Sequence, residues 1–137
     1  MPKRSFLLPV FCVLFSGLIL TCCTPERRAA RYVEAHHGEL QSDMDGYFSG
    51  EIPLTYRGSA FSAVNHWDGR HPMVEYLLTG PGYYGFYYSP DDVPLAFQNA
   101  DLPLAEADGG WQWRGEGDNR GFTRRLSPCW YYFEAQF

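Results

Sequence analysis

Four groups of side chains in this sequence combine metal-ligating or acid–base types with short spacings. His66, Asp68 and His71 lie within Asn65-His66-Trp67-Asp68-Gly69-Arg70-His71, where a hairpin could gather two imidazoles and a carboxylate around zinc, which takes N and O ligands. The spacing matches no recurrent zinc pattern, and Asp68-Gly69 already has a role as a tight turn, so no metal is expected. His36 and His37 are neighbours on a helical segment and point two ways. Glu116 and Asp118, in the turn Gly115-Glu116-Gly117-Asp118-Asn119, offer oxygens to calcium, but the loop is too short to close a cage. Either that pair or Asp91 with Asp92 would supply two carboxylates for hydrolysis, with no partner that the sequence can place. Gly80 to Gly85 fits the G-x-G-x-x-G spacing, yet a strand follows where nucleotide binding needs a helix. No catalytic residue and no cofactor are assigned.

Aromatic residues are the other chemical resource. Beyond residue 22 the chain keeps 7 Phe, 10 Tyr and 4 Trp. In Tyr83-Tyr84-Gly85-Phe86-Tyr87-Tyr88 and in Trp130-Tyr131-Tyr132-Phe133, rings fall on both faces of a strand. Cross-strand ring pairing is one use for them, at about 0.2–1 kcal/mol per pair. Left exposed, flat rings beside carboxylates and amides would suit sugars or a protein partner. The candidates for such a platform are Trp111 and Trp113, which share one face of a strand, and Tyr84, Phe86 and Tyr88. Arg120, Arg124 and Arg125 are expected to pair with acidic surface groups. Cys129 reads as a buried small apolar residue of the domain and not as a reactive thiol.

Punctuation and periodicity define the secondary structure around these residues. Thr24-Pro25-Glu26 reads as a helix start, with Thr as N-cap and Pro at the first helical position. Ala29, Val33, His36 and Leu40 share one helical face, and Gly38 weakens the end, so a helix is expected over about 25–40. Gln41 to Arg57 reads as irregular. From Gly58 onward the pattern changes to strands and turns: Phe61–Trp67, Met73–Thr79, Tyr83–Ser89, Trp111–Arg114, Phe122–Leu126 and Trp130–Phe137. Val93 to Ala107 reads as loop with short extended pieces. The expected fold is α+β: an N-terminal helix packed on an antiparallel β-sheet of about five or six strands, in one domain over 23–137 with the sheet over about 58–137.

The first 23 residues carry the strongest signal for location. Lys3 and Arg4 precede an apolar run, Phe6 to Leu20, interrupted by Pro9, Ser16 and Gly17 and closed by Cys22-Cys23. Secretory signals have this layout, with an apolar stretch of about 7–15 residues. Leu20-Thr21-Cys22-Cys23 resembles the lipobox of bacterial lipoproteins, with Cys23 as the lipid-modified residue and Cys22 as second choice. Cys or Thr stands where the common box has Gly, Ala or Ser. The turn-and-aromatic ending over roughly 60–137 likewise resembles small uncharacterised bacterial lipoproteins, and no functional residues carry over from that resemblance. It implies a signal peptide over 1–22 and a palmitate-type lipid anchor on the extracytoplasmic side of the cell membrane. An uncleaved anchor and plain secretion remain open alternatives. A spanning helix wants about 20 apolar residues, slightly more than this segment supplies.

Cleavage before Cys23 leaves 115 of the 137 residues, enough for one domain with a real core. Losing Lys3 and Arg4 moves the formal charge from −5 to −7. An acidic domain is a poor partner for nucleic acid. The expectation is therefore a membrane-tethered exported protein, non-enzymatic, with a binding or structural role toward an envelope protein or glycan. The alternative is an envelope hydrolase or glycan-processing enzyme using Glu116, Asp118 or Asp91.

Overall fold

The computed structural model describes residues 24–54 and 58–137. The signal segment, and with it both lipidation candidates Cys22 and Cys23, lies outside the described residues. One helix, α1 (Pro25–Phe48), precedes seven strands: β1 (Phe61–Trp67), β2 (Met73–Leu78), β3 (Tyr83–Tyr88), β4 (Ala105–Ala107), β5 (Gly110–Arg114), β6 (Arg120–Ser127) and β7 (Trp130–Gln136). They form one antiparallel sheet in the order β1-β2-β3-β7-β6-β5-β4. Two meanders, β1 to β3 and β4 to β7, thus meet at the central β3–β7 pairing.

The architecture is α+β, with two corrections to the expected form. The sheet has seven strands, not five or six. The seventh is β4, from a segment read as loop: Ala-Glu-Ala carries no β-rich pattern, but Asp108 and Gly109 both take positive φ (49° and 75°) and close a tight hairpin onto β5. Nor does the helix stand at the chain's N-terminus: it begins at Pro25. Its start is the expected one, with the Thr24 hydroxyl accepting from Arg27 N–H at 3.3 Å. Its end is not, for it runs eight residues past Leu40 to Phe48. The buried stripe Ala29, Val33, Leu40 continues to Met44, one turn further on, and burial of Met44 outweighs the weak helix propensity of Gly38. His36 departs from helical backbone (φ −117°) and marks a kink within the helix.

α1 lies over the middle of the sheet, on β3 and β7. Its stripe packs on Val74, Tyr76, Phe86, Tyr88, Trp130 and Tyr132. The opposite face carries Met73, Tyr87, Tyr131 and Phe133. That face is covered by the long connection from β3 to β4, through Leu95, Ala96, Phe97, Leu102 and Leu104. Phe97 stacks on Trp113 with centroids 4.7 Å apart. Trp113 can lie flat on β6 because residue 121 is glycine, where a Cβ would stand 2.1 Å from its ring.

Two substitutions in α1 separate packing from propensity. Met44→Ala should lower stability by about 2–5 kcal/mol, because it empties a fully buried site. Gly38→Ala, in open space with ordinary helical backbone, should raise it by about 0.5–1 kcal/mol. Urea unfolding midpoints measure both, and a neutral Met44→Ala would show that the last two turns of α1 are not part of the core.

Candidate ligand-binding groove

Because α1 covers the centre of its face, the β6-β5-β4 side of that face is left open. A groove of about 350 Å³ lies there. This is at the small end of the range for small-molecule sites, about 300–1,000 Å³. Its floor is built by strand alternation and register. On β6, Arg120, Phe122 and Arg124 stand at i, i+2 and i+4 and so share one face. Their β7 partners are Gln136, Glu134 and Tyr132, and across β5 Phe122 faces Gln112 while Arg120 faces Arg114. Glu26, in the first turn of α1, and Asp108, in the β4–β5 turn, form the walls.

The charges in the groove are unevenly matched. The Arg124 Nη1 donates to Glu26 Oε1 at 2.6 Å and its Nη2 to the Asp108 carbonyl oxygen. Its guanidinium lies 5.0 Å from the centre of the Phe122 ring, while its Nε is buried without a partner. Arg120 Nε donates to the Gln136 side-chain oxygen at 2.9 Å, an amide and not an acid. Glu134, the remaining carboxylate of the floor, accepts from the Tyr132 hydroxyl at 2.6 Å. Burial, with Glu134 adding to it, pushes the Tyr132 hydroxyl pKa well above the usual phenol value. Among the described residues no hydrogen bond or ion pair reaches Arg114. The arginines expected to pair with acids therefore divide: Arg124 and Arg125 do, Arg120 does not.

Of the side chains singled out from the sequence, Arg120, Arg124 and Trp113 reach the groove and the others are placed elsewhere. Trp113 borders the groove, but its side chain is buried against Phe97. Trp111 is half-buried beside Tyr131. Tyr84, Phe86 and Tyr88 are buried beneath α1 and make no open platform. His66 approaches Asp68 at 3.0 Å and bonds Tyr47, while His71 turns to Asp91 at 2.9 Å. The two imidazoles thus serve different partners, and no group of three metal-ligating side chains converges among the described residues. Glu116 and Asp118 stand exposed in the β5–β6 turn, outside the groove. Asp92 accepts from Arg125, from Cys129 N–H at 2.9 Å and from the Tyr131 hydroxyl at 3.0 Å, which holds its carboxyl below the usual range. No helix among the described residues is long and apolar enough to cross a membrane.

A further carboxylate stands out only in the folded chain. Glu75 is fully buried on the face opposite α1. Tyr83 donates its hydroxyl to Oε1 at 2.7 Å and Gln98 its backbone N–H to Oε2 at 3.0 Å. The Trp67 indole N–H lies near enough to favour the anion but falls outside hydrogen-bond geometry, which leaves Nε1 without a partner. Gln98 and Asn99 take left-handed backbone (φ 50° and 55°) to form this turn. Desolvation outweighs these favourable contacts and raises the Glu75 pKa. Its only signal in the sequence is a charged residue amid the apolar strand Met73-Val74-Glu75-Tyr76-Leu77.

No family model, curated protein or solved structure matches this chain.

The raised pKa of Glu75 sets a direction for stability against pH. Below the ordinary glutamate value of 4.5 both folded and unfolded states hold the proton, and its contribution is fully present. As pH rises from there through the raised value, the folded state must bury a charge, and stability is lost. Glu75→Gln removes that slope. Wild type should lose urea resistance relative to Glu75→Gln between pH 4.5 and neutrality; parallel curves would mean that Glu75 titrates as an ordinary carboxyl.

Proposed function

We propose that this chain is an exported envelope protein, tethered to the extracytoplasmic face of the cell membrane by lipid on Cys23, or on Cys22 as second choice, whose domain binds a polar envelope ligand. The binding role is non-enzymatic. The observation that carries it is the groove beside α1: an open half of a sheet face, lined by three arginines, three acidic residues, two amides and a half-buried ring, that the protein's own helix does not cover. The tether is supported by the layout of residues 3–23 and by the helix start directly after them. Thr24 already caps α1, and Glu26, on the groove wall, is three residues from Cys23. An extended chain of that length spans at most about 10–11 Å, so an anchored groove would lie close to the headgroup layer. Several acyl chains on one cysteine would make the attachment firm.

Intact mass of the membrane-extracted protein tests the tether. The expected mass is residues 23–137 plus lipid, with the modification lost in Cys23→Ser and kept in Cys22→Ser. An unmodified full-length mass would overturn it and make residues 5–23 an uncleaved anchor.

A further inference from the structure

The Arg114–Arg120 pair is the feature of the groove that the fold itself leaves unexplained. The two are direct partners across the β5–β6 ladder, and both line the groove. Side chains directly opposed in a sheet have Cβ atoms about 4.5–5.5 Å apart, and like charges in that position are destabilising. Of the three carboxylates lining the groove, Glu26 is taken by Arg124 and Glu134 by Tyr132, and among the described residues no ion pair joins Asp108 to Arg114 or Arg120. Arg120 is steadied through its Nε by Gln136, which leaves both of its Nη groups without a described partner, and Arg114 has none among the described residues. A protein of net charge −5 thus keeps two adjacent guanidinium forks unneutralised in a polar recess.

Resting on the reading of this groove as a ligand site, we propose that Arg114 and Arg120 bind a phosphate group carried on a hydroxylated envelope molecule. Guanidinium forks match phosphate oxygens in bidentate geometry. Two forks fit a phosphate group, whether a phosphomonoester of charge about −1.5 to −2 or a singly charged diester, because it has oxygens enough for both, whereas a carboxylate has oxygens for one bidentate fork. Gln112 and Glu134, on the same floor, offer an amide and a carboxylate oxygen to neighbouring hydroxyls. The bound anion removes the Arg114–Arg120 repulsion, so ligand and fold reinforce each other. The same chemistry is offered by a soluble phosphorylated polyol or sugar and by a phospholipid headgroup.

The test uses the full chain in detergent. Inorganic phosphate, glycerol phosphate, a neutral N-acetylglucosamine oligomer and vesicles with or without phosphatidylglycerol are the probes, with chloride matching ionic strength. In wild type, phosphate and glycerol phosphate should raise the thermal midpoint where chloride does not. Arg114→Gln and Arg120→Gln should each lose about tenfold or more in phosphate affinity, while Arg31→Gln, an exposed change on α1, should not. Without phosphate, either Gln variant should melt no lower than wild type, because a repulsion has been removed; Arg114→Lys, which keeps charge but not the fork, covers a variant that fails to fold. A vesicle response that needs phosphatidylglycerol and both arginines, without a response to glycerol phosphate, assigns the headgroup as source. Equal phosphate response in wild type and both Gln variants overturns the proposal. If the neutral oligomer binds, and does so through Phe122 and not Arg114, the groove reading stands and the phosphate proposal falls. No response to any probe removes both.

Discussion

The pairing of β3 with β7 organises everything else in this fold. It joins two meanders at the centre of the sheet, and it sets Tyr88 against Trp130, Tyr87 against Tyr131 and Phe86 against Tyr132. These rings point alternately to both faces, so neither face can be left to solvent. One is closed by α1. The other is closed by a proline-containing connection that has no strand or long helix of its own. That connection is instead pinned by polar anchors: Tyr87 hydroxyl accepts from Leu95 N–H at 2.9 Å, Asn99 donates to the His71 carbonyl at 2.9 Å, and Glu75 and Asp92 hold its middle and its start. Buried hydrogen bonds of this kind contribute only about 0.5–1.5 kcal/mol each, but leaving one partner unsatisfied costs more. The loop is therefore fixed by the penalty for releasing it.

Covering a two-faced aromatic seam with a single helix leaves an asymmetry. A helix is about 10–12 Å across and a seven-stranded sheet nearly three times that, since strands lie about 4.8 Å apart. Centred on β3 and β7, α1 reaches on one side to β1, where Phe61 meets Tyr32 with ring centroids 5.0 Å apart and packs beside Tyr76 of β2. On the other side the composition changes. The exposed face of β5 and β6 carries Gln112, Arg114, Arg120 and Arg124 in place of rings, with Phe122 folded over Gly110, where a Cβ would meet its ring at 2.7 Å. The groove is thus a direct result of how much sheet one helix can shelter, and its polar lining is what makes an uncovered half-face soluble.

Much of this is legible in the sequence, and the losses have physical causes. The cap at Thr24, six of the seven strands and the ring-bearing seam follow from local rules. The end of α1 is not legible, because Gly38 and a polar stretch outweigh Met44 locally, whereas burial decides in the folded chain. β4 is hidden because three residues of Ala-Glu-Ala carry no pattern; only the Asp108-Gly109 turn marks it. Ring content alone allows either cross-strand core pairing or an open platform, and in the folded chain the large rings go to the core, where each aromatic side chain buries about 150–250 Å². The groove residues do not stand out by composition. Yet the turn Gly115-Glu116-Gly117-Asp118-Asn119, a hairpin by its residue types, fixes Arg114 opposite Arg120 by register alone, so the charge clash is already contained in the spacing of the two residues.

The position of the groove relative to the start of α1 adds a constraint on orientation. Glu26 both ends the groove wall and clamps Arg124, and it sits in the first turn of a helix whose amide dipoles favour a negative charge there. The helix start, the ion pair and the groove are therefore one unit. Under the anchored reading, the short span to Cys23 ties this unit to the membrane surface, while the acidic remainder of the domain is repelled by anionic lipid. Under that reading, opposed forces of this kind would orient the domain, with Arg114 and Arg120 turned toward anionic headgroups. Orientation would then come from charge placement about a short tether, with no need for a second membrane contact.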